Sequence, residues 1–123
     1  MKIYTSYFAA CRNIPKNIIR VSICIFPPKS FDCLSFKKVA PKHYFFNKWK
    51  ENNDNDYYVE SFNSEVLDKL DPQLVYNELF ALTGGKDCVL LCYEKSGDFC
   101  HRHLVSEWLN RTMNLGIEEY RFI

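Results

Sequence analysis

The chain has no apolar run that could span a bilayer, which takes about 18 consecutive apolar residues. Its best candidates, Val21 to Phe26 and Cys88 to Tyr93, have only the length of strands. The opening residues, Met1 to Phe8, lack the long apolar stretch of a secretory leader. There is almost no net charge, +1 in all, while 47% of residues are hydrophobic, and this combination argues against disorder. Internal repeats, low-complexity tracts and the paired C-x2-C of structural zinc sites are also missing. The expectation is a cytoplasmic protein that makes no use of a membrane.

That expectation governs the six cysteines. Cytosolic thiols stay reduced. Cys24, Cys88 and Cys92 lie inside apolar, strand-like runs, where a free cysteine behaves as a small hydrophobe. They are therefore read as free thiols and not as a disulfide scaffold.

What the sequence does have is enough apolar and aromatic residues for a real core in 123 residues, read as one domain spanning 1–123. The small net charge conceals an asymmetry. Residues 1–50 carry ten Lys/Arg and one acid, and residues 51–123 carry six Lys/Arg and fourteen acids. A basic half can mark a nucleic-acid partner. The simpler reading is that two oppositely charged halves pack together.

Lys2 to Tyr7 alternates β-formers and reads as a first strand, and Ile18 to Phe26 as a second, ended by Pro27-Pro28. A helical segment is expected from His43 to Lys50, then a polar loop from Glu51 to Asp56. Tyr58, Phe62, Val66 and Leu70 recur at helical spacing. Asp71-Pro72 signals another helix start, Val75, Leu79 and Leu82 supply its apolar stripe, and Gly84-Gly85 ends it. Cys88 to Glu94 is the clearest strand, apolar on both faces as in a parallel sheet. A turn at Lys95 to Phe99 leads into a helix from His101, with Leu104, Val105, Trp108 and Leu109 inward, and Glu119 to Ile123 suits a short edge strand. Strands alternating with helices predict an α/β fold: a mostly parallel, Rossmann-like sheet with helices on both faces. In such sheets ligands bind beyond the carboxyl ends of the strands.

The chemically unusual residues cluster at such an end: Cys92-x-Glu94, five residues, then Cys100-His101-Arg102. If the strand continues to Glu94, Cys92 and Glu94 share a face. A helix beginning near His101 offers free backbone N–H groups and a partial positive charge, a natural anion site. Arg102 adds a planar fork suited to phosphate or carboxylate. Cys100 at that position is a candidate nucleophile with a lowered pKa, and Glu94 with His101 a candidate acid–base pair. Arg102, Cys92 and Ser6 are candidate ligand contacts, Ser6 only if the first strand neighbours the Cys88 strand. Each has a plainer alternative: Cys92 and Cys100 as core filler, His101 as a helix anchor, Arg102 in an internal salt bridge with Glu94, Ser6 as ordinary strand packing. Cys92, Cys100, His101 and His103 include metal-ligand types, but their spacing is not that of structural zinc, and no tightly bound metal is expected.

Leu90-Leu91-Cys92-Tyr93-Glu94-Lys95 with Phe99-Cys100-His101-Arg102-His103-Leu104-Val105 resembles the hallmark of domain-of-unknown-function family 488, a Leu-Leu-Cys-x-Glu strand followed by a Cys-His-Arg helix start. Tyr4-Thr5-Ser6-Tyr7-Phe8, Arg20-Val21-Ser22-Ile23, Pro27-Pro28, Ala40-Pro41 and Tyr57-Tyr58 resemble its compact phage and bacterial members. Larger members often carry Asp-Val-Arg at the second strand, and no acid stands there in this chain. The resemblance implies an α/β fold and marks the site, but it names neither cofactor nor substrate. The residues themselves suggest a phosphate-bearing, nucleotide-like ligand or nucleic acid. The rivals are a non-catalytic binding or inhibitory module with a protein partner, and a metal-binding domain.

Overall fold

A computed structural model of the chain describes residues 1–95 and 98–121. Five strands, all parallel, form one sheet: β1 Ile3–Tyr7, β2 Ile19–Ser22, β3 Leu34–Ser35, β4 Cys88–Cys92 and β5 Glu118–Glu119. Four α-helices accompany them: α1 His43–Asn52, α2 Asn55–Glu65, α3 Pro72–Thr83 and α4 His101–Met113. The fold is α/β, and the strand order is β3-β2-β4-β1-β5.

β4 is the centre of the sheet. Ile3 of β1 and Ile19 of β2 both pair with its Cys88, and all five of its residues are buried. A strand flanked on both edges and covered on both faces has no use for alternation, which is why Cys-Val-Leu-Leu-Cys is apolar throughout.

The helices gather on one face. Phe45 of α1 meets Tyr58 and Phe62 of α2 edge-on, and Phe62 lies beside His101 of α4. The β1–β2 connection covers the opposite face, as right-handed crossovers require. Its helical piece is a 3-10 turn, Phe8–Asn13. The segment between the two strands is too short, and too interrupted by Pro15, for a full α-helix. Arg20 holds it down, donating to the carbonyls of Cys11, Ile14, Pro15 and Ile18 at 2.7 to 2.9 Å.

Several boundaries differ from the sequence pattern. β2 stops at Ser22 rather than Phe26 because the Ser22 hydroxyl accepts from the Cys24 N–H at 3.2 Å and turns the chain. The loop expected at Glu51 to Asp56 shrinks to Asn53-Asp54. Asn53 ends α1 in the left-handed region, and the Asp54 carboxylate caps α2 by accepting from Tyr57 N–H at 3.1 Å. α2 ends at Glu65, so Val66 and Leu70 flank a separate 3-10 turn, Leu67–Lys69. Asp71 caps α3, Pro72 opens it, and Gly84 closes it at φ +68°. Its inner stripe is Val75, Leu79 and Thr83, with Leu82 left exposed, because the buried ridge follows steps of four. β4 ends at Cys92, leaving Glu94 in a bend beyond it. The expected turn at 95–99 and edge strand at 119–123 fall partly on Ser96, Gly97, Phe122 and Ile123, outside the described residues. No described helix is long and apolar enough to cross a membrane.

Candidate functional site

The strand order creates one crevice at the carboxyl edge. From β2 the chain moves outward to β3. From β4 it passes through α4 to β5 on the far side of β1. The ends of β2 and β4 are adjacent, and their connections diverge, which is the switch-point geometry that favours ligands. A cavity of about 400 Å³ opens there. Phe46, Trp49, Tyr58 and Phe99 form its aromatic walls, with Phe26 and Tyr93 at the exposed rim. Trp49 and Tyr58 each pack on Phe99, with ring centroids 5.5 and 5.1 Å apart. Lys50 brings one positive charge to the lining.

The reactive groups line the same cavity: Cys24, Glu94, Cys100 and His101. Cys100 is the N-cap of α4, in extended conformation, next to the first turn of the helix and its free N–H groups. The hydrogen bond from the buried Cys92 thiol is the largest influence on Cys100 and lowers its pKa. Against the opposing effect of burial, His101 and the Arg102 backbone N–H lower it further, to about 3. These influences favour the thiolate form of Cys100. Cys92 moves the other way: burial and the neighbouring sulfurs raise its pKa, so it stays a thiol. Cys88, on the same strand but away from the cavity, is pushed up to about 12 by burial and is plain core.

His101 is 6% exposed. Its Nε2 lies 2.7 Å from the Ile23 carbonyl oxygen, which can only accept, so this nitrogen carries a proton. The ring nitrogens are 3.6 and 3.7 Å from the Cys92 sulfur. Burial disfavours the imidazolium, but hydrogen bonding and the charge of Cys100 outweigh it and raise the pKa. Burial raises the pKa of Glu94, and so does the negative charge of Cys100. The cavity thus brings together a thiol whose pKa is lowered and an imidazole and a carboxyl whose pKa values are raised.

Arg102 is placed differently from the expectation of an anion clamp. It is completely buried and does not line the cavity. Its Nε and Nη2 donate to the two carboxylate oxygens of Glu119 at 3.0 and 2.8 Å, and its Nη1 donates to the Glu94 carbonyl at 2.7 Å. The internal ion pair weighed in the sequence exists, but its carboxylate is Glu119 of β5 and not Glu94. Thr5 of β1 donates to the same Glu119 at 2.6 Å. This clasp fixes the bend after β4, and with it the backbone of Glu94.

Ser6 does pair in register beside Leu91 of β4, yet it does not line the cavity. Its hydroxyl is buried and has no hydrogen-bond partner among the described residues. Cys92 lies behind the cavity wall, fully buried. The ligand atoms of Cys92, Cys100 and His101 all lie within 4.8 Å of one another, so these three could hold a metal ion, and His103 is not among them. Two participants escaped the sequence pattern. Cys24 looked like strand filler and became a lining residue once the Ser22 turn moved it out of the sheet. Glu119 stood in a short terminal segment with nothing to mark its partner.

A family model described as the active DUF488-N3 subclade matches residues 5–113. The chain belongs to the DUF488 family. No curated protein and no solved structure matches it. The DUF488 match runs from Thr5, within β1, to the end of α4 and so includes every residue that lines the cavity. Glu119, the carboxylate of the Arg102 clasp, lies beyond the matched span.

Proposed function

We propose that this DUF488 domain binds a nucleotide-like ligand in the aromatic cavity and processes it with the Cys100 thiolate. The observation that carries the reading is the placement of Cys100, a thiolate at a helix start on the wall of an aromatic cavity of about 400 Å³. That volume suits a small molecule, and rings such as Trp49, Tyr58 and Phe99 suit the faces of a planar base. Lys50 and the start of α4 supply the attraction for a phosphate. In this reading Cys100 is the nucleophile. His101 balances its charge and holds it in place. Glu94, whose pKa is raised by burial and by Cys100, gives a proton to the leaving group. Arg102 is a positioning residue that acts through the Glu94 backbone. The word "active" in the family description agrees with catalysis.

The test is a panel of nucleotides and short single-stranded DNA and RNA, read by thermal shift on the wild type and on Cys100→Ser. Stabilisation of both proteins, with turnover or a covalent mass adduct in the wild type alone, is the expected result. Stabilisation without chemistry in either would favour a non-catalytic binding module. No shift with any anionic ligand would refute the nucleotide reading.

A second reading has one specific observation in its favour, the convergence of Cys92, Cys100 and His101. Three protein ligands with a fourth position open to a cavity is the pattern of catalytic zinc. Elemental analysis of protein purified without added metal is expected to find none. One equivalent per chain would turn the cluster into a metal centre and remove the free nucleophile.

A further inference from the structure

The nucleophile reading uses one sulfur of this cluster and leaves its neighbours idle. Cys100 and Cys24 line the cavity, whereas Cys92 is buried behind them. A small oxidant entering the cavity therefore meets Cys100 or Cys24 before it can reach Cys92. The Cys92 and Cys100 sulfurs belong to a group whose ligand atoms all lie within 4.8 Å of one another. A disulfide needs about 2.05 Å between sulfurs and Cβ atoms about 3.8 Å apart. The two sulfurs are therefore at most about 2.7 Å from bonding distance, and Cys100 sits at the N-cap, ahead of the first helical turn.

We propose that Cys92 and Cys100 form a reversible disulfide when a hydroperoxide enters the cavity, and that this switches the site off. In the first step the Cys100 sulfur attacks the peroxide as the thiolate, and the departing oxygen takes up one proton, which the thiol released or solvent supplies. The O–O bond breaks, an S–O bond forms, and the products are a Cys100 sulfenic acid and an alcohol, or water when the oxidant is hydrogen peroxide. In the second step the Cys92 sulfur attacks that sulfenic sulfur. An S–S bond forms, the S–O bond breaks, and one water leaves. The peroxide is reduced, and the two cysteines, counted as thiols, together lose two protons and two electrons. A resolving thiol close behind the reacting one separates a reversible sensor from a cysteine that overoxidises irreversibly. The switching-off rests on Cys100 being the reactive group of the site. The cross-link does not, and it can be read without any substrate.

The experiment uses the full chain, reduced and freed of metal with a chelator, then treated with hydrogen peroxide and digested with trypsin without reductant. Cleavage after Lys86, Lys95 and Arg102 places Cys92 and Cys100 in separate peptides, 87–95 and 96–102. The expected result is these two peptides joined, with fragmentation placing the bond at Cys92 rather than Cys88, and their release by dithiothreitol. Cys24→Ala should keep the cross-link, and Cys92→Ala should leave a Cys100 sulfenic acid that dimedone traps. If Cys92→Ala does not fold, the wild-type peptide map decides alone. Progression of Cys100 to the sulfinic acid with Cys92 still free would overturn the proposal, and so would a bond from Cys92 to Cys24. A failed nucleotide panel alongside a clean Cys92–Cys100 bond would dismiss the ligand reading and keep the redox one.

Discussion

Replacing Arg102 by alanine separates architecture from ligand binding in a single denaturation curve. The guanidinium is fully buried and bonded to both oxygens of Glu119 and to the Glu94 carbonyl. Arg102→Ala removes all three donors and leaves a hole among the largest buried side chains of the protein. Breaking a buried ion pair from one side costs about 3–5 kcal/mol. Glu119 moderates the figure: its side chain is 25% exposed and keeps the Thr5 hydroxyl at 2.6 Å, so its charge is not stranded when the guanidinium goes. We expect a loss of about 3 kcal/mol, the low end of that range, from a total of about 5–15 kcal/mol for a small domain. Urea unfolding should show a lower midpoint with an unchanged slope. Glu119→Gln keeps a partial acceptor and should lose less, and the double variant should show coupling between the two positions. Arg102→Ala within about 0.5 kcal/mol of wild type, the range of ordinary surface changes, would refute the clasp. Loss of ligand affinity without loss of stability would restore the anion-clamp role read from the sequence.

Three further outcomes are expected. Cys100 is already a thiolate above about pH 3, so its alkylation by iodoacetamide should hardly slow from about pH 8 to about pH 5, whereas an ordinary thiol slows roughly tenfold per unit below its pKa of about 8.5; a tenfold-per-unit fall mapped to Cys100 would contradict the assignment. Phe45 is 0% exposed and meets both Tyr58 and Phe62, so Phe45→Ala should cost about 3–5 kcal/mol in urea unfolding, and a loss below about 1 kcal/mol would show that α1 is not part of the core. Ser6 buries a hydroxyl with no partner among the described residues, so Ser6→Ala should raise the unfolding free energy by about 1 kcal/mol; a clear destabilisation would reveal an interaction at that oxygen.

The parts of the fold written in local sequence were legible, and the parts written in pairing were not. Asp71-Pro72 and Gly84 mark the ends of α3 because capping and proline geometry act within a turn. Cys88 to Cys92 reads as a central strand because burial on both faces leaves no polar position. The two-residue strands β3 and β5 carry too few residues for any period to appear. At the site, the resemblance and the helix start singled out Cys100 and His101, and both line the cavity. Arg102 was found, and it stands in a buried ion pair such as the sequence allowed as its alternative, with Glu119 in place of Glu94. Its partner Glu119 lies seventeen residues away on a strand that the sequence only suggested, and an arginine beside an anion site looks the same as one beside a buried carboxylate. Cys24 was hidden by a turn that depends on a single serine hydroxyl.

The strand order also sets a timetable for synthesis. β1 pairs only with β4 and β5, both of which lie far along the chain, and Ile3 waits 85 residues for Cys88. At about 5–20 residues per second on the ribosome, that is roughly 4–17 s during which β1 has no strand to pair with. β2 gains only the two-residue β3 in that time. The central pairings of the sheet can form only after Cys88 to Cys92 has been made, and such non-local pairing folds slowly. The nascent amino-terminal half, carrying ten Lys/Arg against one acid, meets that delay as a strongly cationic chain. Like charge opposes association between such unpaired segments.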